Sequence, residues 1–92
     1  MSPKIDFSHK FDKQFKKAPL GIKEAFRERL EIFISNRYHP LLNNHQLTGK
    51  FKWHKSINVT GDWRVLFREY INSTGQEVIV FVLLGTHSQL YK

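Results

Sequence analysis

The stretch FKWHKSINVTGDWRVLFREYINSTGQEVIVFVLLG, residues 51–85, decides the fold because its apolar side chains alternate along three runs. We predict strands over 51–59, 63–71 and 77–85, separated by two turns. The last run is apolar on both faces, which is typical of a strand at the centre of a sheet. The short run KIDF, residues 4–7, reads as an opening strand and is most simply the second neighbour of the last one.

The register of the first hairpin follows from sorting its side chains by polarity. A two-residue loop at 60–61 would mix polar and apolar residues on both faces, whereas a three-residue loop over 60–62 pairs Ile57 with Val65 and Lys55 with Phe67. A slip of one residue exchanges the two faces, so the sorted pattern is expected. One face then packs on the helices and the other is open and cationic. The open face carries His54, Asn58, Arg64 and Arg68.

Two helices are predicted before these strands. Phenylalanines recur every four residues from 7 to 15, so we expect a helix over about 9–18 with Ser8 as its N-cap. Pro19 interrupts this pattern before a second amphipathic helix over about 20–35. The fold class expected is α+β, in which an N-terminal strand and a two-helix hairpin pack on a small, mostly antiparallel sheet. We expect one domain over 1–92.

The charge balance indicates the class of partner. Lysine and arginine number 15 against 8 acidic residues, a formal charge of +7, which favours a polyanion or an acidic protein. The absence of cysteine excludes disulfides and thiol nucleophiles. No apolar leader or run of about 18 apolar residues is present, so we expect a cytoplasmic protein that does not enter a membrane.

The histidines and arginines favour proton transfer and phosphate binding over metal chemistry. None of the five histidines has the spacing of a metal site, so we expect neither a metal nor another cofactor. Cleavage of RNA by its own 2′-hydroxyl needs a base, an acid and cations around the phosphate. Histidine suits the proton transfers near neutral pH, and arginine suits the phosphate oxygens.

Three motifs occur in order: HQLTGKFK from residue 45, INVTGDWRVLF from 57 and VLLGTHSQLY from 82. In this order and in a basic chain of this length, they resemble the RelE/ParE superfamily of bacterial toxins, and most closely the YafQ-like branch. The resemblance implies a RelE-like, microbial-ribonuclease-type fold and a toxin of a type II toxin–antitoxin system. The implied activity is a metal-independent endoribonuclease that cuts mRNA on the ribosome. The implied partners are an acidic antitoxin, mRNA and ribosomal RNA, with the toxin monomeric alone and hetero-oligomeric with its antitoxin.

The resemblance also implies the site. Five residues match catalytic positions: His45, Asp62, Arg64, His87 and Tyr91. Five more are expected to contact RNA: His54, Lys55, Asn58, Trp63 and Arg68. Members of the branch have a histidine where Asn58 stands, and an amide cannot exchange a proton near neutral pH. His45 and His87 are therefore the expected acid–base pair, with Arg64 at the phosphate and Tyr91 stacking or assisting.

Two other functions remain open on the sequence. A ParE-like toxin of the same fold would inhibit gyrase without RNA chemistry, although such a protein has no need of His45, His87 and Tyr91. A toxin relic would bind only its antitoxin, and Asn58 in place of the histidine is the feature that supports it.

Overall fold

The computed structural model describes residues 2–91, in which five strands form one sheet in the order β1-β5-β4-β3-β2. The strands are β1 (Lys4–Phe7), β2 (His45–Gln46), β3 (Lys55–Asn58), β4 (Trp63–Ile71) and β5 (Glu77–Thr86). β1 runs parallel to β5, and every other pair is antiparallel. The predicted α+β class is confirmed, and so is the position of β5 beside the N-terminal strand.

Three helices accompany the sheet: α1 (His9–Lys17), α2 (Leu20–Ser35) and the short α3 (His87–Leu90). The Ser8 hydroxyl accepts a hydrogen bond from the Phe11 amide at 3.0 Å, which confirms the predicted N-cap. α1 ends at Lys17 because Ala18, the residue before Pro19, is extended. Neither α3 nor the two 3₁₀ turns at Pro40–Leu42 and Gly49–Phe51 were predicted. No helix within residues 2–91 is both long and apolar enough to span a bilayer.

Aromatic rings fill the space between the helices and the sheet. The Phe81 ring of β5 lies 5.7 Å from those of Phe26 and Phe67 and 5.3 Å from that of Phe33. All four side chains are buried. Tilted and edge-to-face contacts of this kind add to the stabilisation from burial itself. This packing therefore fixes the position of the sheet, and with it the side chains on its other face.

The first hairpin has the predicted register. Lys55 pairs with Phe67 and Asn58 with Arg64, and a turn over 60–62 joins the strands. The expectation of an open second face is only partly correct, because Ser56 and Leu66 on that face are both 0% exposed. The tail covers part of the face: a Cβ on Gly85, the β5 partner of Arg64, would lie 3.1 Å from a side-chain atom of α3.

The strand predicted over 51–59 begins only at Lys55. Residues Gly49–Phe51 form a 3₁₀ turn, and Gly49 has a φ of +67°, a conformation that other residues rarely adopt. The His54 amide donates a hydrogen bond to the Phe51 carbonyl oxygen at 2.8 Å, and the chain becomes extended after this point. The short strand β2 pairs with β3 at the edge of the sheet and was not predicted.

An ion-pair network joins the end of α2 to the sheet. The Arg37 guanidinium donates to Glu69 at 2.7 Å and to both carboxylate oxygens of Glu77 at 2.9 and 3.0 Å. The hydrogen bond from Arg37 lowers the pKa of the Glu77 carboxyl below its ordinary value. The Lys55 ammonium completes the network at 2.7 Å from Glu69, which raises the pKa of Lys55.

Candidate functional site

The turn after β3 and the tail after β5 meet at one end of the sheet. The His87 backbone amide donates to the Asp62 carbonyl oxygen at 3.0 Å, which ties α3 to the turn over 60–62. A capping box fixes the start of α3, because the Thr86 hydroxyl accepts from the Gln89 amide while the Gln89 side chain accepts from the Thr86 amide. The first residue of α3 is His87, so its backbone is fixed both by the capping box and by the hydrogen bond to Asp62.

Arg64 lies at the same end of the sheet, on the face that also carries Asn58. One of its guanidinium nitrogens donates to the carbonyl oxygens of Gly61 at 2.9 Å and Thr60 at 3.1 Å. The cation is therefore folded over the turn instead of extending freely into solvent. A guanidinium held in this way presents a fixed charge to an anion, at little cost in side-chain entropy.

His45 lies on β2, where it pairs with Ser56 of β3, and its side chain is exposed. Its Nδ1 is 2.7 Å from the carbonyl oxygen of Asn43. A carbonyl oxygen can only accept, so Nδ1 carries the proton in the neutral ring and Nε2 is left as the acceptor. β2 and β5 are three strand spacings apart in the sheet, roughly 14 Å.

Four rings run from the tail to the segment before β3. The His87 and Tyr91 ring centroids are 4.7 Å apart, Tyr91 lies 6.0 Å from Phe51, and Phe51 lies 5.6 Å from His54. The structure thus brings together two predicted catalytic residues and one predicted RNA contact. Phe51, the residue that connects them, was missed because the sequence was read as strand there.

Polar atoms on this face of β3 lack protein partners. Within the described residues, His54 Nδ1, Ser56 Oγ and Asn58 Oδ1 are buried and make no hydrogen bond. Burial lowers the pKa of the His54 imidazole, and the nearby positive charge of Arg68 lowers it further. The neutral form of His54 is therefore favoured near pH 7, while Arg68 supplies the charge at that end of the face.

Two predicted RNA contacts lie on the other side of the sheet. The Lys55 ammonium is engaged by Glu69 within the network described above, and Trp63 packs against the hydrophobic core between sheet and helices. Side chains alternate between the two faces of the hairpin, and both of these lie on the face that packs against the helices. This agrees with the predicted register, in which Lys55 lies opposite Phe67 on the core side, and contact of Lys55 and Trp63 with RNA stays a prediction.

Histidine, aspartate and glutamate side chains are the potential metal ligands of this chain. Across residues 2–91, they nowhere gather in groups of three or more that could hold a metal ion. Asp62 contributes its backbone carbonyl oxygen to the site, where it accepts from the His87 amide. The Thr86-x-x-Gln89 spacing was the one signal in the sequence that could have revealed α3.

Comparison with known proteins identifies the family. The family model described as "Bacterial toxin of type II toxin-antitoxin system, YafQ" matches residues 3–92. The chain belongs to the YafQ family. No curated protein matches it in sequence.

Solved structures share the fold of this YafQ-family toxin at low sequence identity. YafQ from E. coli strain BL21(DE3) superimposes with a TM-score of 0.79 at 19% identity, over 98% of this chain and 99% of that one. A YoeB/ParE toxin from Agrobacterium tumefaciens gives 0.71 at 13% identity, covering 91% and 98%. The E. coli DinJ–YafQ toxin–antitoxin complex gives 0.72 at 18% identity, with both chains fully covered.

Proposed function

We propose that this YafQ-family toxin is a ribosome-dependent endoribonuclease that cleaves mRNA without a metal ion. The observation that carries the proposal is the hydrogen bond between the His87 amide and the Asp62 carbonyl, because it fixes a histidine at the end of the sheet where Arg64 lies. A titratable imidazole near a fixed guanidinium suits transfer at a phosphate, where protons move and negative charge accumulates.

In the proposed reaction the mRNA 2′-hydroxyl attacks the adjacent phosphorus and the bond to the 5′-oxygen breaks. His45 Nε2 takes the 2′-hydroxyl proton, because its Nδ1 already carries the proton directed at Asn43. His87 gives a proton to the departing 5′-oxygen, and Arg64 offsets the charge on the phosphate oxygens. In this reaction the scissile phosphate lies between the two imidazoles, and Tyr91 stacks on a base beside His87.

The proposed partner that silences this toxin is an acidic antitoxin. A chain with a formal charge of +7 attracts an acidic protein, and the E. coli DinJ–YafQ complex holds a toxin of the same fold with its antitoxin. We propose a monomer when the toxin is alone and a hetero-oligomer when the antitoxin is bound. The ribosome as target places the activity in the cytoplasm.

In vitro translation followed by primer extension across the mRNA tests this function. The wild type should produce cuts in mRNA on ribosomes, in the presence of a chelator as well as without it. His87→Ala should abolish most of the cuts while the protein still melts as the wild type does. Inhibition of gyrase supercoiling with intact mRNA would instead show the ParE-like activity.

A second candidate is a toxin that binds its antitoxin without cleaving RNA. Asn58 favours it, because this residue lies opposite Arg64 on the site face and its side-chain amide cannot exchange protons near neutral pH. Intact mRNA together with tight antitoxin binding would establish this candidate. Restoration of cleavage by Asn58→His would then identify the missing group.

A further inference from the structure

Trp53 is the most exposed large apolar side chain within the described part of the chain, at 71% of its full accessible area. A single exposed apolar residue is ordinary on a protein surface. An indole is a different case from a leucine, because it carries a wide flat π-face and loses little conformational freedom when it binds. What surrounds Trp53 therefore decides whether its exposure has a role.

The segment 50–53, sequence KFKW, is held rigidly by its neighbours. The Lys52 amide donates to the Gly49 carbonyl at 3.1 Å, inside a turn that depends on the positive φ of Gly49. The Gln46 side-chain amide donates to the carbonyl oxygens of Lys52 at 2.5 Å and of His54 at 3.0 Å. Trp53 lies between these two anchored carbonyls, so its backbone is fixed before any ligand arrives.

Cations lie against the aromatic rings of this segment. The Lys52 ammonium is 5.2 Å from the Trp53 ring centroid, and the Lys50 ammonium is 5.1 Å from that of Phe51. A groove of about 270 Å³ adjoins Trp53 and is lined by Gln46, Lys52, Trp53, Lys55, Phe67 and Glu69. Its one acid, Glu69, is already paired with Arg37 and Lys55, so it does not cancel the charge of Lys52.

The segment also joins this groove to the cleavage site. Phe51 contacts the rings of Tyr91 and His54, whereas Trp53, two residues later, lines the groove with Lys55 and Phe67 of the core-facing side. A strand of RNA leaving the cleavage site around this edge of the sheet would therefore reach Trp53. We infer that Trp53 stacks an unpaired RNA base outside the cleavage site, with Lys52 at the neighbouring phosphate.

RNA fits this surface better than an acidic peptide does. A carboxylate could pair with Lys52 but has no face to stack on the indole, whereas a nucleotide supplies an anion and a π-face together. The inference rests on the proposed function, since it assigns a second subsite to the same substrate class. It assigns no role in the bond-breaking step to residues 50–53.

Fluorescence of Trp53 gives a direct test. The chain has two tryptophans, so Trp63→Phe leaves Trp53 as the one indole reporter while keeping an aromatic ring in the core. The probe is a short single-stranded RNA with 2′-O-methyl groups, which cannot be cleaved by its own 2′-oxygen. We expect saturable quenching of Trp53 that weakens as salt is added. Absence of saturable quenching would overturn the inference, whatever the protein does on ribosomes.

Binding of a labelled RNA to single variants supplies the second arm. Trp53→Ala should weaken binding about tenfold to a hundredfold, Trp53→Phe much less, and Lys52→Ala by an intermediate factor. Leu20→Ala, which removes an equally exposed apolar side chain from the start of α2, is the matched control and should bind as the wild type does. Equal affinities for Trp53→Ala and Leu20→Ala would contradict the subsite.

The outcome separates this inference from the proposed function. Trp53-dependent RNA binding without any mRNA cleavage would sustain the subsite and overturn the nuclease. Normal mRNA cleavage with unchanged RNA affinity in Trp53→Ala would sustain the nuclease and overturn the subsite. If Trp53→Ala weakened only the complex with the antitoxin, the surface would belong to that protein and the RNA subsite would be wrong.

Discussion

The His87 amide and the Asp62 carbonyl oxygen are 3.0 Å apart, so the tail of the chain is hydrogen-bonded to the turn between β3 and β4. Asp62 takes part in this contact through its backbone carbonyl. Any substitution at this position that leaves the turn undistorted would therefore preserve the contact. His87 takes part through its backbone too, which leaves its imidazole available. Neither side chain is therefore needed for this contact, and the proposed reaction uses the imidazole of His87 but not the carboxylate of Asp62.

Substitution of the two residues should show this difference. His87→Ala should lower single-turnover mRNA cleavage by at least ~10²-fold, because the leaving 5′-oxygen loses its proton donor. Asp62→Ala should lower it much less, because the carbonyl that holds α3 remains. A loss with Asp62→Ala as large as that with His87→Ala, at equal melting temperature, would show that the carboxylate itself acts in the reaction.

Arg64→Ala should affect both activity and stability. Loss of the charge at the phosphate should lower kcat about 10²- to 10³-fold. The guanidinium also donates to the carbonyl oxygens of Thr60 and Gly61, so the turn should loosen and the melting temperature should fall. Arg64→Lys is the matched control that keeps the charge but not the fork of donors. A fully active Arg64→Ala protein would remove this residue from the site.

Gly85→Ala tests whether the position of α3 on the sheet matters for mRNA cleavage. A Cβ there would lie 3.1 Å from the Gln89 side-chain oxygen and 3.4 Å from Leu90 side-chain carbons, so the Gln89 side chain of the capping box would have to shift by a few tenths of an ångström. We expect mRNA cleavage to fall several-fold while the helical signal in circular dichroism stays close to that of the wild type. Gly61→Ala is the control, because a Cβ at Gly61 meets no atom within 4 Å. Equal activity in the two variants would contradict this role of α3.

Arg37→Ala should destabilise the fold in a pH-dependent way. The side chain is 19% exposed and holds two carboxylates, so its loss should cost about 1–3 kcal/mol in urea unfolding near pH 7. The folded pKa of Glu77 is lowered, so its stabilisation exists above the ordinary glutamate pKa and disappears as pH falls through the lowered value. The difference in unfolding free energy between wild type and variant should therefore shrink in acid. A constant difference across that range would contradict the assignment.

His54 should titrate below the ordinary histidine range. Burial is the main cause and the charge of Arg68 is the second, so Arg68→Ala should raise the pKa only part of the way back. Proton–carbon NMR over a pH series would follow the His54 imidazole in the wild type and in Arg68→Ala. A His54 pKa at or above the ordinary histidine value would show that the imidazole is hydrated.

The alternation of side chains was enough to predict the central strands and their register. β4 (Trp63–Ile71) has the predicted bounds, because a strand with one face on the core must keep a period of two. The same rule overextended the preceding strand, since KFKWHK also alternates but Gly49 turns the chain into a 3₁₀ segment instead. A positive φ at one glycine has no periodic signature in a single sequence.

The site was predicted less completely than the fold. Polarity sorted Arg64 and Asn58 onto one face correctly, but it could not show that a guanidinium would be occupied by turn carbonyls. α3 has four residues, too few for helical periodicity, so the sequence did not show that Tyr91 folds back toward Phe51. Contacts between distant segments of this kind depend on the packed tertiary structure.

The pairing of β1 with β5 also bears on when this toxin can fold during its synthesis. The Ser8 hydroxyl donates to the Val82 carbonyl oxygen, and the Gln14 side chain accepts from the Leu84 amide, so the first strand and helix are completed by residues 70–74 positions later. β5 also supplies Phe81, against which both helices pack. Until β5 leaves the ribosomal tunnel, the growing chain lacks both the strand that lies between β1 and β4 and the Phe81 ring against which its helices pack. The fold of this toxin can therefore be completed only after β5 has emerged.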